Sequence, residues 1–229
     1  MFTPLLAHSR SAFSFIASAV LACVLAFAAP ALAADGGLSV SSATDVAGSA
    51  SDAAAMDLAA NPVANEIIRF AQSQTDEAVR VAEQAHKDRV VKKATKRAIA
   101  EGSATDYFIA VDIPAKRTMI FKWKGDEWKL VKYWVCSTGA PESPTITGTF
   151  EVGDRGYSFG DEEGYTCYYW TQFSGNYLFH SIKYEPGTFD VQDGRLGEDV
   201  SEGCVRLKIK NAKWIYDTIP WSTKVVVYD

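Results

Sequence analysis

Histidine is scarce in this chain: 229 residues carry three, at positions 8, 86 and 180. Cysteine is little commoner, at 23, 136, 167 and 204, and no two stand two to four residues apart, so the close pairing of a cysteine-based zinc site is missing. The C-terminal part has no basic stripe, and the formal net charge is −5. The chain therefore lacks the electrostatic footprint that a nucleic-acid backbone requires, and no nucleic-acid partner is expected.

Other absences organise the N-terminal half. Residues 34–60 are Ala, Ser, Gly and Asp with almost nothing large to bury, the composition of a disordered spacer. Residues 63–101 contain neither Gly nor Pro. Asn61-Pro62 supplies an N-cap followed by proline at the first helical position, and Gly102 a C-cap, so a helix is expected over 61–102. Its apolar positions (Ile67, Ile68, Phe70, Val79, Ala82, Val90) hold no strict heptad, which argues against a coiled coil. It reads first as a solvated stalk, with packing on the following domain as the alternative.

Ahead of the spacer, Arg10 precedes an apolar run at 11–29 and then Pro30-Ala31-Leu32-Ala33-Ala34-Asp35. This is the pattern of a secretory signal over 1–33, cut after Ala33, or of a membrane anchor if it stays uncut. An extracytoplasmic protein is expected. Cleavage removes Cys23 and leaves three cysteines. In an oxidising compartment two can pair, and one thiol is left over.

From Asp106 the pattern becomes short and alternating, and 106–229 reads as one mainly β domain. Strands are expected at 107–113, 118–123 and 128–135, the last two joined as a hairpin around Lys124-Gly125-Asp126. Further runs lie at 149–152, 165–173, 177–182 and 223–228. A short helix is expected over 209–218, with Asn211 and Lys213 outward and Trp214 and Ile215 inward. The aromatics Tyr165, Tyr168, Tyr169, Trp170 and Tyr177 suit either a cleft lining or ordinary sheet packing.

With so few histidines, candidate chemistry narrows quickly. His86 sits in the polar helix and is most simply a surface residue. His180 ends a strand-like run, and a Gly-rich acidic loop leads from it to Cys204. A thiol becomes a useful nucleophile near neutral pH when paired with a base, usually histidine. Gly203 permits a strained turn or close approach, Ser201 offers a hydrogen bond, and the amides around Gly203 and Cys204 offer an oxyanion hole. Arg206 offers a fixed charge for a substrate carboxylate. These residues alone leave Cys204 open as nucleophile, disulfide half or buried apolar residue.

The order His180, then Leu196-Gly197, then Ser201-Glu202-Gly203-Cys204-Val205-Arg206-Leu207 resembles the signature of the L,D-transpeptidase (YkuD-type) catalytic domain. Val135-Cys136-Ser137-Thr138-Gly139 and Thr145-Ile146-Thr147-Gly148-Thr149-Phe150 are similar to segments upstream of that family's site. Ile146 replaces a common proline, and Glu202 stands where many members carry a second histidine. A carboxylate there opposes thiolate formation unless it faces solvent or a cation such as Arg206.

The resemblance implies a β-sandwich-like domain with one or two short helices, preceded here by the long helix. It implies Cys204 as nucleophile and His180 as base, acting on peptidoglycan stem peptides with release of D-Ala and needing no metal or cofactor. Ser181 and Ser201 are candidates for supporting roles. Cys136 and Cys167 are the candidate disulfide pair, which would leave Cys204 free. A papain-like protease has the opposite order of cysteine and histidine, and the Ser-x-x-Lys of serine transpeptidases is missing. The alternative is a non-catalytic peptidoglycan-binding or scaffold module of the same fold, which would tolerate Glu202.

Overall fold

The computed structural model describes residues 62–229; the expected signal segment, the spacer and the Asn61 cap lie outside the described residues. Two compact units divide within the first helix, after Ala82. That helix, α1 (Pro62–Glu101), runs unbroken for 40 residues. It stops at Gly102, whose φ of +60° suits glycine and whose N–H reaches Ala98 O at 3.0 Å. No helix among the described residues is long and apolar enough to cross a membrane.

The strands in chain order are β1 (Tyr107–Asp112), β2 (Arg117–Lys124), β3 (Glu127–Val135), β4 (Thr138–Gly139), β5 (Gly148–Glu151), β6 (Arg155–Phe159), β7 (Cys167–Ser174), β8 (Tyr177–Ser181), β9 (Lys183–Tyr184), β10 (Val191–Asp193), β11 (Asp199–Ser201), β12 (Val205–Leu207) and β13 (Lys224–Tyr228). The second helix, α2 (Ile209–Thr218), precedes β13. One sheet has the order β3-β2-β1-β13-β5 and a second the order β12-β8-β7-β6; β9 with β10 and β4 with β11 form small pairs. This is the mainly β architecture with a long N-terminal helix that the sequence predicts.

The five-stranded sheet is buried on both faces, and the period of two sorts its residues. Ile109, Val111, Ile120, Val225 and Val227 meet Phe173, Phe179, Val205 and Leu207 of the second sheet and Ile215 of α2. The alternate residues Phe108, Ala110, Met119, Phe121, Val226 and Tyr228 form the other cluster, together with Val90, Ala94 and Ala98 of α1. The end of α1 is therefore not a solvated stalk. Its i, i+4, i+8 stripe is apolar and mostly small, so the helix lies close to the sheet, while Lys93 and Arg97 stack over the Tyr228 ring at 4.6 and 4.0 Å.

Strands β2 and β3 pair from Arg117 opposite Val135 to Lys124 opposite Glu127. Gly125-Asp126 is thus a two-residue hairpin turn, with Gly125 at φ +75°. In α2 the expected face is corrected at one position: Asn211 is buried with Ala212 and Ile215. Positions 211 and 215 are four apart, and that spacing puts them on one face.

Candidate active site

Gly203 and Cys204 form the tight approach to β12. Gly203 has φ +110°, and a Cβ there would sit 2.7 Å from Tyr177 Cε1, so both backbone and space demand glycine. Ser201 Oγ donates to Cys204 O at 2.6 Å and accepts from Gly203 N–H at 3.2 Å. Ser201 thus folds the Cys204 turn, and the Gly203 amide is already engaged.

The segments upstream anchor this turn. Strand β11 runs parallel to β4, with Asp199 opposite Thr138 and Ser201 opposite Gly139. Thr138 Oγ1 donates to Asp199 Oδ1 at 2.6 Å, and Lys116 Nζ lies 2.7 Å from the same oxygen. Ala140 N–H donates to Ser201 O at 2.8 Å. Gly139 N–H donates to Thr145 Oγ1 at 2.8 Å. A Cβ at Gly139 would lie 2.1 Å from Ser143 O, so the two upstream segments close on each other only through a glycine.

His180 comes from β8. Strand β12 lies parallel to β8 with Arg206 opposite His180, which brings Cys204, two residues earlier, towards Leu178. The imidazole is 4% exposed. Its Nδ1 is 2.6 Å from the Ser181 carbonyl, so Nδ1 carries the proton and Nε2 is the basic nitrogen. The ring meets the Phe159 ring edge-on, with centroids 5.3 Å apart. Burial lowers the His180 pKa to about 4; the Ser181 carbonyl opposes this, and the charges of Arg206 and Lys183 add to it. The imidazole is neutral at pH 7. Burial also pushes the half-buried Cys204 thiol above its ordinary value; the Leu178 backbone N–H opposes, Glu202 adds and Arg206 opposes. The thiol itself donates to Asn176 O at 3.4 Å. The resting pair is thiol and neutral imidazole, and both line one cavity of about 710 Å³.

The other expected residues take different places. Arg206 is not available to a substrate carboxylate: its side chain is 2% exposed, with Nη1 2.7 Å from Asp193 Oδ2. Asp193 also holds Arg195 Nη2 at 2.9 Å, and the bonds from Arg195, then that from Arg206, keep its carboxyl well below the usual range against the opposing effect of burial. Ser181 contributes its carbonyl to His180, while its Oγ accepts from Tyr168 N–H and donates to Ile182 O. Glu202 is exposed at the cavity. Tyr165 and Trp170 line the cavity, whereas Tyr168 packs among Tyr157, Tyr184 and Phe189.

The expected Cys136–Cys167 disulfide is corrected: Cys136, Cys167 and Cys204 are all free thiols. Cys136 is in the core between the sheets, beside Thr118, and burial pushes its thiol up to about 12. Cys167 instead faces the cavity, its thiol likewise pushed to about 12 by burial. The two side chains serve different compartments of the domain. Sequence reasoning missed Asp193, Asn176 and Lys183, none of which stands in a recognisable motif. Among the described residues no three of His, Cys, Asp or Glu group as metal ligands.

The second unit thus carries a cysteine–histidine pair at one cavity of a two-sheet β domain. Residues 106–227 match the L,D-transpeptidase catalytic domain family, YkuD, and the chain belongs to that family. A Bacillus subtilis (strain 168) protein provisionally named L,D-transpeptidase YciB is 39% identical over 97 residues, covering 38% of this chain and 47% of that one. Among solved structures, a fused Zn-dependent amidase/peptidase/peptidoglycan-binding domain-containing protein from Clostridium acetobutylicum is 40% identical, with a TM-score of 0.49 over 60% of this chain and 59% of that chain. An L,D-transpeptidase from Mycobacterium smegmatis is 24% identical, with a TM-score of 0.42 over 54% of this chain and 59% of that chain. The chain spans about half the length of the curated relative and about three-fifths of these solved chains.

Proposed function

We propose that this chain is a cysteine-dependent L,D-transpeptidase that cross-links peptidoglycan stems outside the cytoplasm. The observation that carries the proposal is the shared cavity of Cys204 and a His180 whose Nδ1 is fixed by the Ser181 carbonyl. In a neutral pair, His180 Nε2 accepts the thiol proton as Cys204 Sγ attacks the carbonyl between the diamino acid and the terminal D-Ala of a tetrapeptide stem. The Cys204 amide is the local donor for the oxyanion, because the Gly203 amide bonds Ser201. The C–N bond breaks, the imidazolium returns its proton to the departing D-Ala amine, and a thioester remains. The side-chain amine of a second stem attacks the thioester, gives its proton to His180 and regenerates the thiol, leaving a 3→3 cross-link.

Purified protein is expected to release D-Ala from a disaccharide-tetrapeptide, to form a cross-linked dimer, and to gain the mass of a carbapenem. Cys204→Ala should abolish all three; activity surviving that change ends the mechanism. Binding to sacculi with no adduct would instead favour the non-catalytic wall-binding module.

A further inference from the structure

The cavity has a charged end that the acyl-transfer steps leave unused. Lys183 follows His180 by three residues, at the start of β9, and is half-buried. Its Nζ lies 3.7 Å from the centroid of the Tyr165 ring, a cation held on an aromatic face. Among the described residues it has no carboxylate within 4.0 Å, whereas Arg206, the other cation lining the cavity, is bound to Asp193. Among the described residues, Lys183 is therefore the cavity's one uncommitted positive charge. Glu163 and Glu202 line the same cavity, are exposed and form no ion pair among the described residues. Both carboxylates act electrostatically on the Tyr165 hydroxyl, which places them around the ring that carries Lys183.

One free cation beside two free carboxylates, next to a thiol nucleophile, complements a ligand bearing both charges on neighbouring atoms. A stem whose third residue is a diamino dicarboxylic acid has such a group: an ammonium and a carboxylate on one carbon at the end of its side chain. We propose that Lys183, braced on Tyr165, binds the carboxylate of this zwitterionic head while Glu163 and Glu202 receive its ammonium. This subsite selects donor stems with a free head over stems with an amidated head or a simple lysine side chain. Glu202 then acts in specificity and not in the proton transfer. The inference rests on the proposed function for its choice of ligand.

Binding to Cys204→Ala protein, followed by calorimetry with synthetic tetrapeptide stems, separates the subsite from turnover. The free-head stem is expected to bind about tenfold more tightly than the same stem with an amidated head, the scale of one partly exposed charge-assisted contact. Lys183→Met should remove that preference by weakening only the free-head stem, and Lys183→Arg should retain it. Glu163→Gln with Glu202→Gln should weaken the free-head and amidated stems alike, since both keep the ammonium, and should leave an N-acetylated head unaffected. A terminal carboxylate as the true partner of Lys183 would show as equal losses for both heads, and that result overturns the proposal, as does equal binding of both heads by the parent. Failure of cysteine-intact protein to form an acyl-enzyme would overturn the proposed reaction instead, and the binding comparison would still be decisive for the subsite.

Discussion

A methyl group added at Gly203 would meet the Tyr177 ring at 2.7 Å and would have to adopt φ +110°. Neither strain can relax without moving the adjacent Cys204 or the β8 side of the cavity. Gly203→Ala is therefore expected to cost about 2 kcal/mol of stability and to slow carbapenem acylation by at least tenfold, read by urea unfolding and time-resolved intact mass. Acylation as fast as in the parent would show that the turn is not strained as described. The neighbouring imidazole makes a pH prediction. Its folded pKa of about 4 lies below the ordinary 6.5, so between those values the unfolded chain binds the extra proton. The stabilising effect of keeping His180 neutral is complete above pH 6.5 and is lost as the pH falls towards 4. The acylation rate should follow the folded value, staying level from pH 7 to about 5 and dropping only near 4. An acid limb centred near 6.5 would contradict a buried, neutral base.

At the scale of elements, the register of β12 on β8 couples the site to the ion pair beneath it. Arg206 lies opposite His180, and its guanidinium is held by Asp193 at the end of β10. Asp193→Ala leaves a buried positive charge without its partner, and an expected loss of about 3 kcal/mol follows. Adding Arg206→Met should recover much of that loss, because no charge is then stranded; equal losses in the single and double variants would show that the pair is only a surface contact. The same coupling explains what the sequence revealed. Local punctuation exposed α1 through Gly102, the β2–β3 hairpin through Gly125-Asp126, and α2, whose expected span coincides with Ile209–Thr218. Strands β4, β9, β10 and β11 have two or three residues each, too short for a period to register, and β4 and β11 pair far apart along the chain. Cys204 and His180 stood out because their residue types are rare. Asp193 is one carboxylate among 28 acidic residues, and only the fold singles it out. The cysteine pairing failed for a related reason: counting thiols cannot reveal that Cys136 points into the core while Cys167 faces the cavity.

For the molecule as a whole, the family match begins at residue 106, but the compact unit begins at Glu83. The difference is the last part of α1. Val90, Ala94 and Ala98 cover Phe108, Met119, Phe121 and Val226, all essentially buried. A fragment of residues 106–229 would present that entire face of β1, β2 and β13 to water, whereas residues 83–229 keep it covered. At about 25 cal/mol per Å² of apolar surface, losing this packing should cost on the order of 3 kcal/mol, or roughly 10 °C in melting temperature for a domain of this size. The shorter fragment should also bind a hydrophobic dye and associate through its bared face. The longer one should stay monodisperse and be acylated by a carbapenem at the full-chain rate, since every residue of the Cys204 turn lies within it. Equal melting temperatures for the two fragments would mean that the helix adds nothing to the sheet, and the domain boundary would then belong at residue 106.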